Sequence, residues 1–170
     1  MAMWRAVARL VLRPQQSVRE RILSQWLPHA GLSTQELVSG SYAALHIRRG
    51  DKGSEARLRP TCDYAKALAR LLARRRLPQP AALFVATDGP EVLDELRACA
   101  SFGGGSRGKR PHLHTLIELA GIPTRGMSDA SFARIWTEVE ILVGAQVVVG
   151  TFSSNVGRLV RAGRALAALS

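Results

Sequence analysis

Three apolar runs, separated by stretches with helical periodicity, most constrain the fold of this chain. The runs are residues 42–45, from which the predicted strand continues to Arg48, and residues 82–86 and 146–150. Apolar segments of this length are typical of strands that are covered on both faces. A helical stretch between successive strands favours parallel pairing, because a parallel connection must cross back over the sheet. The pattern therefore predicts an α/β fold with a Rossmann-like parallel sheet and helices on both faces.

The spacing of apolar residues between these runs predicts the remaining elements. Helices are expected over 4–29, from Thr61 as its cap to Arg75, over 91–100, from Ser128 or Asp129 to Leu142, and over 155–169. A short strand is expected at 112–116, a polar connection at 33–40 and a surface loop at 101–111. With 170 residues and no evident boundary, the chain is predicted to form one domain over 1–170.

The charge of the chain indicates little about its partners. The formal net charge is +11, with 24 Lys and Arg against 13 Asp and Glu. A basic chain of this kind is one hypothesis for a nucleic-acid-binding protein. The basic residues are dispersed, however, and no zinc-ligand spacing or aromatic interleaving accompanies them. We therefore expect no nucleic-acid partner.

Cys62 and Cys99 are the only cysteines in the sequence. Neither belongs to a CxxC pair, and two isolated cysteines do not define a disulfide framework. Buried free thiols are the favoured interpretation, and a single bridge between them remains open.

Each predicted strand ends in polar residues, which the carboxyl edge of a parallel sheet would bring together. The polar residues are His46, Arg48, Arg49, Asp51, Lys52 and Glu55 after the first strand, Thr87 and Asp88 after the second, and Thr151, Ser153 and Ser154 after the third. Adjacent arginines suit a diphosphate, because guanidinium groups bind phosphate oxygens bidentately. The serines would cap the last helix, bind an anion there, or do both. A solvated charge cluster is the competing interpretation.

Several of these segments resemble the α1,6-fucosyltransferases that core-fucosylate N-glycans and their rhizobial Nod-factor relatives. Residues 46–52 (HIRRGDK), followed by 53–56 (GSEA), Pro60 and Tyr64, resemble the central motif of that family. Further similarity lies at 12–15 (LRPQ), 85–88 (VATD) and 149–156 (VGTFSSNV). The order and spacing of the segments agree over nearly the whole chain.

The resemblance implies the donor-binding half of a GT-B glycosyltransferase that uses GDP-fucose, works without a metal or other cofactor, and inverts the sugar. It implies that Arg48 and Ser154 hold the β-phosphate with support from Arg49, and that His46 and Glu138 contact guanine. The remaining donor-site positions carried over are Tyr64, Asp88 and Ser153. Glu55 would be the general base toward a GlcNAc 6-hydroxyl, organised by Lys52 and Asp51. The acceptor would be an oligosaccharide or N-glycan, and the location the Golgi.

Three departures from the family pattern leave alternatives open. Gly89 stands where the family has a second aspartate, Gly50 replaces a threonine, and the acceptor-side domain is expected to be missing or supplied by a partner chain. A GDP or GDP-sugar-binding fragment without transferase activity is therefore the second hypothesis. A peptide O-fucosyltransferase is a further one, which the double arginine followed by Asp51 and Lys52 disfavours.

Overall fold

A four-stranded, all-parallel sheet forms the centre of the computed structural model. The structure describes residues 16–49, 58–78, 80, 82–99, 112–114, 129–151 and 153–167. The strands are β1 (Ala43–Ile47), β2 (Ala82–Thr87), β3 (His112–His114) and β4 (Val147–Gly150), in the order β3-β2-β1-β4. Every strand pair is parallel. The α/β, Rossmann-like prediction is confirmed.

Helices cover both faces of this sheet. In chain order they are α1 (Gln16–Trp26), a 3₁₀ turn (Pro28–Ala30), α2 (Thr34–Ser39), α3 (Thr61–Arg75), α4 (Val92–Ala98), α5 (Asp129–Gly144) and α6 (Asn155–Ala167). Alternate strand residues face opposite layers, as the period of a strand requires. Ala44, Phe84 and Ala86 belong to the core shared with α1, α5 and α6. Leu45, Ile47 and Val85 belong to the core shared with α3 and α4.

Two local predictions are wrong. The segment 33–40, expected as a polar connection, contains helix α2. Its start is a capping box, in which Ser33 Oγ accepts from Glu36 N at 3.1 Å and Glu36 Oε2 accepts from Ser33 N at 2.8 Å. Thr61, expected as a cap, is instead the first residue of α3, which begins after Pro60 without a side-chain cap.

The expectation of free thiols is also wrong. Cys62 and Cys99 form a disulfide, with their Cα atoms 5.4 Å apart. Cys62 lies in the first turn of α3, and Cys99 follows the last residue of α4. These helices pack side by side on the same face of the sheet, so their ends meet although 37 residues separate the cysteines. Sequence spacing does not reveal such a pairing.

Some predicted segments lie outside the described residues. They are the helical stretch before Gln16, the loop at 101–111, the end of the short strand at 115–116 and the cap at Ser128. In the described part of the chain, no helix is long and apolar enough to cross a membrane.

The register of the sheet brings the ends of three strands together. His46 pairs with Ala86 of β2 and with Gly150 of β4. The polar residues that follow β1, β2 and β4 therefore emerge along one line, which we call the carboxyl edge of the sheet. Helices α5 and α6 flank this edge on the side that Ala44 and Ala86 face.

Candidate functional site

A cavity opens at the carboxyl edge, between the ends of β1 and β2 and the helices α5 and α6. Its volume is about 310 Å³, which is at the lower end of the range for small-molecule sites. The lining residues are His46, Ile47, Arg48, Ala86, Thr87, Asp88, Arg134, Ile135, Glu138 and Val156. Two basic and two acidic side chains, Arg48, Arg134, Asp88 and Glu138, share the wall with an imidazole, so a polar ligand suits it best.

His46 lines this cavity from β1. Its side chain is 7% exposed. Burial, reinforced by the charge of Arg48, lowers the pKa of the imidazole to about 4. Its Nδ1 has no hydrogen-bond partner among the described residues. The unpartnered nitrogen of a neutral histidine can donate a hydrogen bond to a ligand in one tautomer and accept one in the other.

Gly150 allows His46 to occupy this position. A Cβ at residue 150 would lie 2.9 Å from the Cβ of His46. A side chain at residue 150 would therefore crowd the side chain of His46 on the neighbouring strand. The absence of a side chain at residue 150 thus leaves room for His46 at the site.

Arg48 and Arg49 point to opposite faces of the sheet. Arg48 lines the cavity, and its Nε lies 3.6 Å from Asp88 Oδ2. The other oxygen of Asp88 accepts a hydrogen bond from the backbone N–H of Arg49 at 2.6 Å. One carboxylate at the end of β2 therefore fixes both the direction of Arg48 and the path of the chain that follows it.

Arg49 is committed to the layer of α3 and α4. Its guanidinium donates to Glu95 Oε2 at 2.9 Å, to the carbonyl of Arg59 at 2.7 Å and to the hydroxyl of Thr61. The hydrogen bond from Thr61 and the charge of Arg49 lower the pKa of the Glu95 carboxyl. The expectation of two adjacent arginines on one diphosphate does not match this geometry. In this structure Arg49 is a scaffold residue that links residues on both sides of segment 50–57.

A buried ion pair on α5 forms another wall of the cavity. Arg134 Nε lies 3.4 Å from Glu138 Oε1, and the two side chains are 10% and 13% exposed. Burial raises the pKa of the Glu138 carboxyl, and the guanidinium of Arg134 acts in the opposite direction. Glu138 was predicted from the sequence. Arg134 was not, although its spacing of four residues from Glu138 on a helix was a usable signal.

The serines after β4 serve chiefly as a helix cap. Ser154 is 1% exposed, and its hydroxyl accepts from Gly157 N at 3.0 Å while donating to the carbonyl of Thr151 at 3.1 Å. Ser153 is exposed. The turn reaches the cavity through Val156 instead. Because the first N–H groups of a helix have no acceptor within it, this end of α6 offers donors to an anion.

Tyr64 lies away from the cavity and supports the same turn. It belongs to α3, on the opposite face from His46, and its side chain is buried. Its hydroxyl lies 2.7 Å from Thr151 Oγ1. The structure therefore brings His46, Arg48, Asp88 and Glu138 together, and places Tyr64, Ser153 and Ser154 around the supporting turn.

The predicted catalytic residues Asp51, Lys52 and Glu55 lie outside the described residues. The described residues on either side of this segment are Arg49 and Leu58. Gly89 lies next to Arg49: a Cβ at residue 89 would be 3.0 Å from Arg49 Cγ and would overlap the carboxylate of Glu91. A residue with a side chain at this position requires Glu91 to move.

Comparisons with known proteins identify no family for this chain. No protein-family model matches it, and no curated protein matches it.

Proposed function

We propose that this chain binds GDP-fucose at the carboxyl edge and transfers fucose, with inversion, to the 6-hydroxyl of a GlcNAc residue in a glycan. The observation that carries this proposal is one cavity that combines Arg48 at its rim with the carboxylate of Glu138 in its wall. A nucleoside diphosphate needs both features, since its phosphates are anionic and its guanine presents hydrogen-bond donors.

The phosphates would bind between Arg48 and the start of α6. Arg48 reaches the cavity from the end of β1, and Val156 in the first turn of α6 lines the same space. A guanidinium group forms bidentate bonds to phosphate oxygens, and the N–H groups at a helix start add donors and a favourable dipole. Asp88 keeps the arginine directed to this place before the ligand arrives. As GDP departs, the same groups would stabilise the charge that develops on it.

The base would bind toward Glu138 and His46. Guanine has two neighbouring donors, N1–H and the 2-amino group, which a carboxylate can accept together. His46 is neutral at physiological pH, because burial and Arg48 lower its pKa to about 4. Its Nδ1 is buried and has no partner among the described residues, so a hydrogen bond to a polar atom of the nucleoside would satisfy it without adding a second positive charge.

The transfer step rests on the resemblance of segment 50–57 to the fucosyltransferase motif. In this proposal Glu55 takes the proton of the acceptor 6-hydroxyl, and Lys52 and Asp51 hold that carboxylate in place. The oxygen then attacks the anomeric carbon of fucose as the bond to GDP breaks, so the configuration inverts. In this scheme Arg48 and the N–H groups at the start of α6 stabilise the negative charge of the departing GDP, so the step requires no metal or cofactor.

A second candidate, GDP-sugar binding without transfer, is favoured by Gly89. The position after Asp88 carries no carboxylate, and the space beside it is occupied by Glu91 and Arg49. The two candidates differ in one assay, in which GDP-fucose and a GlcNAc-terminated glycan are mixed with the chain. GDP released only in the presence of the acceptor supports transfer, whereas binding without release supports the second candidate.

Calorimetric titration tests the donor site itself. We expect the chain to bind GDP in preference to ADP and GMP, and we expect Arg48→Ala to weaken GDP binding at least about tenfold, because a charge-assisted bond to phosphate is lost. Arg97→Ala removes the same charge from an exposed position on α4 and serves as the control. Binding that is indifferent to the base, or equally weakened by both substitutions, would contradict the proposal.

A further inference from the structure

The ion pair between Arg134 and Glu138 has no evident structural purpose. Both side chains are nearly buried, and both line the cavity at the carboxyl edge. A buried ion pair stabilises a fold little better than apolar residues of the same size, because both charges must leave water. Charged groups retained in the wall of a cavity are more often explained by what the cavity binds.

The two side chains present a defined hydrogen-bonding pattern. They are one turn apart on α5, so they lie side by side on one face of the helix. Arg134 uses its Nε toward Glu138, at 3.4 Å, which engages one of the five N–H groups of a guanidinium. The pair therefore offers the cavity donors from Arg134 directly beside the acceptors of Glu138.

We propose that Arg134 is a specificity-determining residue that donates to O6 of guanine while Glu138 accepts from N1–H and the 2-amino group. This inference rests on the proposed binding of a guanine nucleotide. Along its Watson–Crick edge guanine presents one acceptor, O6, and then two donors, N1–H and the 2-amino group. A guanidinium beside a carboxylate presents the complementary donors and acceptors. Arginine is also the side chain that most often recognises O6 of guanine in nucleic acids.

The same pair opposes adenine. Adenine has an amino group in place of O6, which would meet the donors of Arg134, and its N1 has a lone pair, which would meet the carboxylate. Each mismatch leaves a nearly buried polar group without a partner, and such losses discriminate strongly between ligands. Arg134 also keeps Glu138 a better acceptor, since its charge opposes the effect of burial on that carboxyl.

Nucleotide analogues that change one atom test the assignment. Binding constants are measured for GDP, 6-thio-GDP, in which sulfur replaces O6, and IDP, which lacks the 2-amino group. We expect the wild type to bind 6-thio-GDP roughly tenfold to a hundredfold more weakly than GDP. In Arg134→Met, GDP binding should fall by a similar factor, and the difference between GDP and 6-thio-GDP should shrink to less than about threefold.

The lower affinity for IDP than for GDP distinguishes the roles of the two side chains. It should persist in Arg134→Met and disappear in Glu138→Met, because the 2-amino group is assigned to Glu138 and methionine removes the acceptor oxygens. Arg161→Met, a substitution on the exposed face of α6, is the charge control. Arg134→Lys keeps the charge and most of the length, and it provides a second variant if Arg134→Met does not fold.

Distinct outcomes separate this inference from the proposed function. If Arg134→Met weakens GDP, 6-thio-GDP and ADP by the same factor, Arg134 acts on the phosphates and the inference is overturned while GDP binding stands. If the 6-thio-GDP difference is unchanged by the substitution, the inference is likewise overturned. If the wild type binds no GDP, the proposed function fails first.

Discussion

Arg48 and Arg49 are neighbours in the chain and have different roles in the structure. Strand geometry sends successive side chains to opposite faces, and this alternation continues past the end of β1. Arg48 therefore reaches the cavity beside α5, whereas Arg49 bonds to Glu95 and to the carbonyl of Arg59. Oδ2 of Asp88 pairs with the guanidinium of Arg48, and Oδ1 accepts from the backbone N–H of Arg49. The geometry makes Asp88 the residue that couples the rim of the cavity to the α3–α4 layer.

The titration of His46 makes the free energy of unfolding depend on pH. The unfolded chain binds a proton at this histidine near its ordinary pKa of 6.5, whereas the folded chain does so only near 4. The stability gained by keeping it neutral is therefore complete above about pH 6.5 and is lost as the pH falls toward 4. We expect wild type to lose about 2 kcal/mol more than His46→Gln between pH 7 and pH 5.

Urea unfolding at the two pH values measures this difference. Groups common to both proteins cancel in the comparison, including Glu138 and Glu140, whose pKa values burial raises. His29→Gln, at an exposed position, should behave as wild type. An equal loss of stability in wild type and His46→Gln would show that His46 does not titrate in this range.

At the scale of elements, the turn between β4 and α6 is held from several sides. The hydroxyl of Tyr64 contacts Thr151, and Ser154 caps the helix. Further along α6, Arg164 donates to the carbonyl of Val143 in the last turn of α5, at 3.0 Å, and to that of Gln146 just after this helix, at 3.3 Å. Such a basic side chain satisfies carbonyls that a helix end leaves without partners. The donors at the start of α6 are therefore placed by contacts with both neighbouring layers.

The disulfide joins the two helices that cover the other face. It connects the start of α3 to the end of α4, next to the residues that hold Arg49. Closing a loop of 37 residues should stabilise the fold by about 4 kcal/mol in the chain-entropy model. We expect reduction, or the double substitution Cys62→Ala and Cys99→Ala, to lower the free energy of unfolding by an amount of this order.

Urea denaturation with and without a reducing agent measures the effect. The double variant is the matched control, since a reducing agent should leave its stability unchanged. If the oxidised and reduced wild type unfold at the same urea concentration, the disulfide contributes no stability of this kind.

At the scale of the whole molecule, the charge of +11 separates the GDP proposal from nucleic-acid binding. Binding to duplex DNA through many phosphate contacts weakens roughly 10³-fold or more between 50 and 200 mM salt, because counterions are released. GDP has only a few charges, so its affinity should change less than about tenfold over the same range. Titrations with GDP and with a duplex of unrelated sequence measure both. Tight duplex binding that persists at 200 mM salt would contradict our interpretation of the dispersed charge.

Local sequence patterns are sufficient to predict the parallel sheet and to place a candidate site at its carboxyl edge. Apolar residues predominate in β1, β2 and β4 because both faces of these strands are covered, and this signal is local. The helical segment α2 was missed because it is short and polar, although Ser33 and Glu36 formed a recognisable capping pattern. The convergence of His46, Arg48, Asp88 and Glu138 followed from parallel pairing and from the resemblance of the flanking segments.

The partners of these residues depend on packing between the elements. Which face a side chain occupies after a strand, and which helix it meets there, depends on packing between elements distant in sequence. The separation of Arg48 from Arg49, the bridge from Cys62 to Cys99 and the position of Arg134 beside Glu138 in the cavity wall all have this origin. Local patterns place residues on elements, whereas the contacts between elements assign their partners.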